Sequence, residues 1–192
     1  MARDIFDYCN AHDLGTVDLI GHSMGGKVAM LFAVTYPEKA NRLIVADIGP
    51  KPYAPHHDDI LAALNAVDFS KKPSRAEVEE IMKPYIPDFG TRQFLMKNLY
   101  WKTPEQLAFR FNLEVFNKSR ELIGQPLPEN AVFDRPVLFI RGEKSNYIKD
   151  EDMALITQHF PEAVLETVSA AGHWLHAENP KEFFQKTFGF LQ

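Results

Sequence analysis

Gly21-His22-Ser23-Met24-Gly25 sits where a strand-like run gives way to a helix-like one, and this junction constrains the 192-residue chain most. Upstream, Thr16-Val-Asp-Leu-Ile20 is a short β-branched run. Downstream, Met24 to Thr35 is rich in Ala, Met, Leu and Phe, reads as a helix, and is closed by Pro37. A serine flanked in this way, in the pattern G-x-S-x-G, is expected on a sharp, strained strand-to-helix turn with its hydroxyl raised above a sheet. The flanking glycines, Gly21 and Gly25, are expected to keep side chains out of the tightly folded backbone. A helix that starts at the serine leaves the Met24 backbone N–H free to face an oxyanion. The chemistry implied is acyl transfer, with Ser23 as nucleophile.

The rest of the chain continues this alternation around an insertion. Ala2–His12 reads as a helix, with Ile5, Phe6 and Cys9 at helical spacing. Arg42-Leu-Ile-Val-Ala46 is an apolar run of the kind buried on both faces of a parallel sheet. The composition changes at Gly49-Pro-Lys-Pro-Tyr-Ala-Pro55. From there to about Phe133 the pattern predicts helices without strands, near His57–Val67, Ser74–Pro84, Thr91–Tyr100 and Pro104–Gly124. Strand character returns at Pro136–Ile140 and Ala163–Val168, with helices over Asp150–Phe160 and Pro180–Leu191, the last capped by Asn179. The expected fold class is α/β, with a mostly parallel core formed by residues 1–50 and 134–192 and a helical cap over 51–133.

A serine nucleophile needs a base, which in such an arrangement lies in the loop after the last strand. Ala170-Ala-Gly-His-Trp-Leu-His176 occupies that loop, and His173, directly after a glycine, is the preferred base. His176 is expected to pack or hydrogen-bond at the start of the final helix, and His22 to pack beside the nucleophile. His12, His56, His57 and His159 read as surface residues. The third member is less obvious. The loop after Val137–Ile140 reads Arg141-Gly-Glu-Lys-Ser-Asn-Tyr147, with Ser145 where an aspartate would complete G-x-x-D. Glu143 is close but two residues early. Asp47 ends the neighbouring strand, where a carboxylate can reach the second nitrogen of His173 and fix its tautomer. Asp47 is therefore the expected acid, with Glu143 as the alternative.

A net charge of −5 without any basic cluster argues against a nucleic-acid partner. The Lys71-Lys72 pair reads as a solvated loop. One cysteine, Cys9, allows no internal disulfide and fits a small buried apolar residue in a reducing compartment. No run is apolar enough for a membrane helix and the N-terminus has no signal-peptide pattern, so a cytoplasmic protein without a membrane partner is expected. The chemistry calls for neither metal nor cofactor.

Taken in order, Gly-His-Ser-Met-Gly-Gly-Lys, Val-Ala-Asp-Ile-Gly-Pro, Arg-Gly-Glu-Lys-Ser-Asn-Tyr-Ile and Ala-Gly-His-Trp-Leu-His resemble the YbfF-type bacterial esterases of the α/β-hydrolase superfamily. The resemblance implies a small hydrolase acting on acyl esters, thioesters among them, with its acid after the sixth strand, which points again to Asp47. It also implies further upstream residues that carry early strands and a His-Gly oxyanion loop. On that basis this chain is expected to be a shortened member, with an open edge at Thr16–Ile20 through which it self-associates. A non-catalytic chain that binds ligands or partners is the competing reading, and carbon–carbon hydrolysis or acyl transfer are alternatives on the same fold. Phe89, Phe94, Leu95, Leu99, Tyr100, Trp101, Phe109 and Phe111 suit either an apolar acyl pocket or packing within the cap.

Overall fold

A computed structural model describes residues 1–54 and 58–192, which form two compact units. His56 and His57 lie outside the described residues. The first unit, residues 1–53 with 124–192, begins with α1 (Ala2–Ala11), β1 (Val17–His22), α2 (Met24–Thr35) and β2 (Ala40–Ala46). The second, residues 54–123, holds α3 (Asp58–Asn65), α4 (Arg75–Met82), α5 (Phe89–Met96), β3 (Leu99–Thr103), β4 (Gln106–Phe109) and α6 (Leu113–Ser119). The first then resumes with β5 (Val137–Gly142), α7 (Met153–His159), β6 (Ala163–Val168), α8 (Leu175–Glu178) and α9 (Pro180–Leu191). Within the first unit, the two segments on either side of the insertion bond to each other. Tyr53 N donates to Gly124 O at 2.8 Å, and Leu127 N to Pro50 O at 3.2 Å.

The first unit is a four-stranded parallel sheet in the order β1-β2-β5-β6. Successive side chains of a strand face opposite ways, and the two resulting faces carry different cores. Leu43, Val45, Val137 and Phe139 belong to one cluster with Phe32 of α2, Ile156 of α7 and Phe160. Ile44, Ala46, Leu138 and Ile140 belong to another, with Leu175 of α8 and Phe183 and Phe190 of α9. Burial on both faces explains the near-continuous apolar runs of β2 and β5. β1 differs. Val17 and Leu19 pack into the first core, while Ile20 on the other face is 54% exposed. Both β1 and β6 are edge strands among the described residues. The helix ends follow local chemistry. The Asn179 side chain accepts from Glu182 N and Pro180 takes the first position of α9, where its missing N–H costs nothing. No helix among the described residues is long and apolar enough to cross a membrane.

The second unit has its own core, in which Leu64, Val78, Met82, Leu95, Leu99 and Leu107 are buried. It is not free of strands. Leu99-Tyr-Trp-Lys-Thr103 and Gln106-Leu-Ala-Phe109 form an antiparallel hairpin, with Tyr100 opposite Ala108 and Trp101 opposite Leu107. Aromatic and apolar residues at cross-strand positions favour this pairing over the helices expected there. Pro104 falls at the turn, where it lacks the N–H a ladder needs. Of the aromatic residues expected to line a pocket or pack, Phe109 and Phe111 stack at 5.1 Å beside the core. Phe89, Phe94 and Trp101 are exposed. His159 is a further correction. It is only 3% exposed, because its Nδ1 pairs with Ala131 O at 2.7 Å and satisfies the ring's polarity inside the fold.

Candidate active site

Parallel strands bring their carboxyl ends to one edge of a sheet, which is where α/β folds hold their ligands. Here the ladder continues past each strand end. Ser23 N donates to Ala46 O at 2.9 Å, Asp47 N to Ile140 O at 2.7 Å, and Glu143 N to Val168 O at 3.0 Å. Each bond ties one strand's first loop residue to its neighbour, so the loops carrying Ser23, Asp47, Glu143 and His173 are set side by side.

Ser23 occupies the cap of α2 with φ 53° and ψ −120°, a left-handed backbone that a non-glycine residue holds only when its surroundings enforce it. Gly21 is part of that enforcement. A Cβ on Gly21 would lie 2.3 Å from Gly25 O and 2.7 Å from Gly26 N, both backbone atoms. A Cβ on Gly26 would meet Ile48 Cγ2 at 2.5 Å, whereas one on Gly25 would meet nothing within 4 Å. The steric need for glycine therefore falls on Gly21 and Gly26, and not on Gly25 as the symmetric motif suggests. Gly21→Ala is expected to lower the melting temperature by roughly 6–12 °C, since overpacking against backbone costs about 3 kcal/mol at a site unable to yield. Gly25→Ala should stay within about 2 °C of the parent, and differential scanning calorimetry of the two variants checks the contrast. Met24 heads α2, so its amide is among those that lack an intrahelical partner and carry the helix's positive partial charge.

Three of the expected residues meet in a continuous relay. Ser23 Oγ lies 2.9 Å from His173 Nε2, and His173 Nδ1 lies 2.7 Å from Asp47 Oδ2. Asp47 is fully buried and itself has a positive φ of 52°. Its Oδ1 accepts from Gly142 N at 3.1 Å, and Ser145 Oγ donates to its Oδ2. Ser145, at the position where the sequence lacks an aspartate, is thus a partner of the Asp47 carboxylate. Glu143 is exposed and elsewhere, its Oε2 accepting from Ala170 N at 2.7 Å. Asp150 pairs with Arg141 at 2.7 Å, and Asp152 with Lys51 at 2.6 Å.

The neighbouring histidines pack beside this relay. His22 Nε2 lies 2.8 Å from the His173 carbonyl oxygen and, as donor, ties the elbow to the histidine loop. Burial holds its pKa down to about 4, so the ring stays neutral and adds no charge beside His173. The His176 ring packs edge-on against His22 at 4.7 Å, and burial lowers its pKa too. The short α8 that carries His176 was not foreseen from sequence. Its Glu178 accepts from Gly172 N at 2.9 Å and Trp174 N at 3.2 Å, bracketing His173.

Three further supports were hidden in the sequence, Lys27, Tyr53 and Tyr147. Lys27, one turn into α2, is buried, donates to Lys51 O at 2.6 Å, and lies 4.9 Å from the centre of the Tyr53 ring. Burial, with Lys51 adding repulsion, lowers its pKa to about 8. Tyr53 OH accepts from Gly49 N at 2.8 Å and donates to Tyr147 O at 2.7 Å. Burial raises the Tyr53 pKa and keeps this phenol protonated and able to donate. Tyr147 in turn stacks on His173, with centroids 4.1 Å apart and planes 20° from parallel. The signal for Lys27 and Tyr147 was the unused remainder of the motifs Gly-Gly-Lys and Ser-Asn-Tyr. Among the described residues no group of three or more His, Cys, Asp or Glu is arranged to hold a metal ion.

Comparisons with known proteins place the fold in a family. The chain is 33% identical to Esterase YbfF of Escherichia coli strain K12 over 183 residues, covering 94% of this chain and 69% of that protein. It is 32% identical to the mouse (Mus musculus) sn-1-specific diacylglycerol lipase ABHD11, covering 90% of this chain and 58% of that protein. A Haemophilus influenzae relative is 38% identical, and the chain spans 62% of its length. Among solved structures, a marine microorganism esterase superposes with a TM-score of 0.92 at 39% identity, covering 98% of this chain and 75% of that one. The sequence profile of the alpha/beta hydrolase family matches residues 2–186. An elbow serine between β1 and α2, a histidine after the last strand and a parallel sheet that sets them together are accounted for at once: this chain belongs to the α/β-hydrolase family.

Proposed function

We propose that this site hydrolyses carboxylic acyl esters, thioesters included, by way of an acyl-enzyme on Ser23. The observation that carries the reading is the Ser23–His173–Asp47 relay, with links of 2.9 and 2.7 Å. His173 takes the Ser23 proton as Oγ attacks the acyl carbon, and the C=O electrons move to oxygen. The tetrahedral oxyanion collapses to the acyl-enzyme while the leaving alcohol or thiol takes the proton from His173. Water, deprotonated by His173, then attacks the acyl carbon, and Ser23 leaves with that proton to free the acid. Asp47 accepts from Nδ1 throughout, which keeps the Nε2 lone pair aimed at Ser23. The Met24 amide supplies one donor for the oxyanion. The names of the E. coli, mouse and marine relatives, all ester-cleaving, support the same class.

The test is covalent. The 192-residue chain is treated with a fluorophosphonate, digested, and the labelled peptide identified by mass spectrometry, in parallel with turnover of p-nitrophenyl esters of increasing acyl length. Label on the peptide containing Ser23, together with ester turnover, is the expected result. Folded protein that neither labels at Ser23 nor turns over any ester would remove the reading.

A further inference from the structure

We propose that Tyr147 is a positioning residue whose ring stabilises the imidazolium that His173 becomes during turnover; this rests on the hydrolytic reading of the site. The ring lies nearly parallel to the imidazole, 4.1 Å between centroids and 20° between planes. An aromatic face attracts a cation within about 6 Å of its centre through its quadrupole, and the attraction grows when the pair is desolvated. His173 is charged only between taking the Ser23 proton and passing it on. A stacked ring therefore favours the transition states over the resting enzyme, which is the only kind of interaction that accelerates the chemical step.

The ring is held in place from outside the triad. The Tyr53 hydroxyl donates to the Tyr147 carbonyl at 2.7 Å while accepting from Gly49 N at 2.8 Å, two residues after Asp47. The Tyr147 backbone N–H is also 3.3 Å from Ser145 Oγ, the hydroxyl that bonds Asp47. The loop that supplies the stacked ring is thus tied at both ends to the acid's surroundings. The titratable groups facing His173 are Asp47 at Nδ1, the His22 ring at 4.7 Å and Tyr147 on its face. His176 packs edge-on against His22, and Glu178 accepts from the amides of Gly172 and Trp174. Of these, Tyr147 alone offers a neutral aromatic face parallel to the imidazole.

The experiment compares three replacements at Tyr147: phenylalanine, leucine, and pentafluorophenylalanine. The last keeps the size of phenylalanine but reverses the quadrupole. With p-nitrophenyl butyrate, kcat of the fluorinated protein should be about 3- to 30-fold below that of Tyr147→Phe, with KM little changed. The acid limb of its pH–rate profile should move to lower pH, because the protonated ring has lost a stabilising partner. The His173 C2 proton, followed by NMR against pH, should move the same way without any substrate. Leucine, which has no quadrupole to attract or repel the cation, should fall between the two. Equal kcat and equal pH dependence in the phenylalanine and fluorinated proteins would overturn the proposal, leaving Tyr147 a packing residue. The NMR comparison keeps the two questions apart. A protein without turnover or Ser23 label removes the hydrolytic reading and with it the rate claim, whereas an unmoved His173 titration removes the stacking claim by itself.

Discussion

Ser23→Ala is expected to reduce ester turnover by on the order of 10⁶ and to abolish fluorophosphonate labelling, the scale seen when a serine hydrolase loses its nucleophile. The site holds a second hydroxyl close to the acid, so the prediction needs a contrast. Ser145 Oγ donates to Asp47 Oδ2, which gives it no base and leaves its proton engaged with a carboxylate. Ser23 Oγ instead faces the Nε2 lone pair of His173 at 2.9 Å. Ser145→Ala should therefore still label on the Ser23 peptide, while Ser23→Ala should label nowhere. The loss is expected without unfolding, because alanine needs no more room than serine and bears the same positive φ. Turnover measured beside a melting curve separates the two effects. A Ser23→Ala protein that retains labelling would place the nucleophile elsewhere.

How much of this was legible in the sequence depends on the range of the interactions involved. The elbow could be read because its parts are adjacent: a β-branched run, Ser23 and a helix rich in Ala, Met, Leu and Phe lie within twenty residues. The helix from Met24 to Thr35 and that from Pro180 to Leu191 were legible for the same reason, since Pro37 and Asn179-Pro180 act locally. Strands β2 and β5 showed themselves through the near-continuous apolar runs that burial on both faces requires. The hairpin Leu99–Phe109 did not, because its stability comes from cross-strand pairs such as Trp101 with Leu107, which no helical or alternating pattern reveals. The burial of His159 depended on one distant carbonyl, that of Ala131. Ser145 was visible only as a missing aspartate. Reading its hydroxyl as a partner of the Asp47 carboxylate required knowing that Asp47 comes within reach of it.

Asp47→Asn should cost about 10⁴ in kcat, as the equivalent change does in a serine-protease triad, while Glu143→Gln leaves turnover close to the parent. The acceptor count gives the reason. The Asp47 carboxylate receives three hydrogen bonds, from Gly142 N at Oδ1 and from His173 Nδ1 and Ser145 Oγ at Oδ2. An asparagine has one acceptor oxygen and one donor group. If its oxygen stays on the Gly142 amide, its NH₂ meets His173 Nδ1, and the imidazole proton must move to Nε2, where it faces Ser23 and removes the base. If the amide turns over, its NH₂ meets the Gly142 N–H, a buried pair of donors with no acceptor between them, which costs about 1–3 kcal/mol. The first arrangement is the cheaper one, because Ser145 can rotate its hydroxyl to accept, so the wrong tautomer should dominate. Glu143 has no comparable hold on His173, since its carboxylate is spent on Ala170 N at the surface. Measuring kcat and KM for both variants decides the matter: a large fall in Glu143→Gln with a small one in Asp47→Asn would move the acid to the later loop.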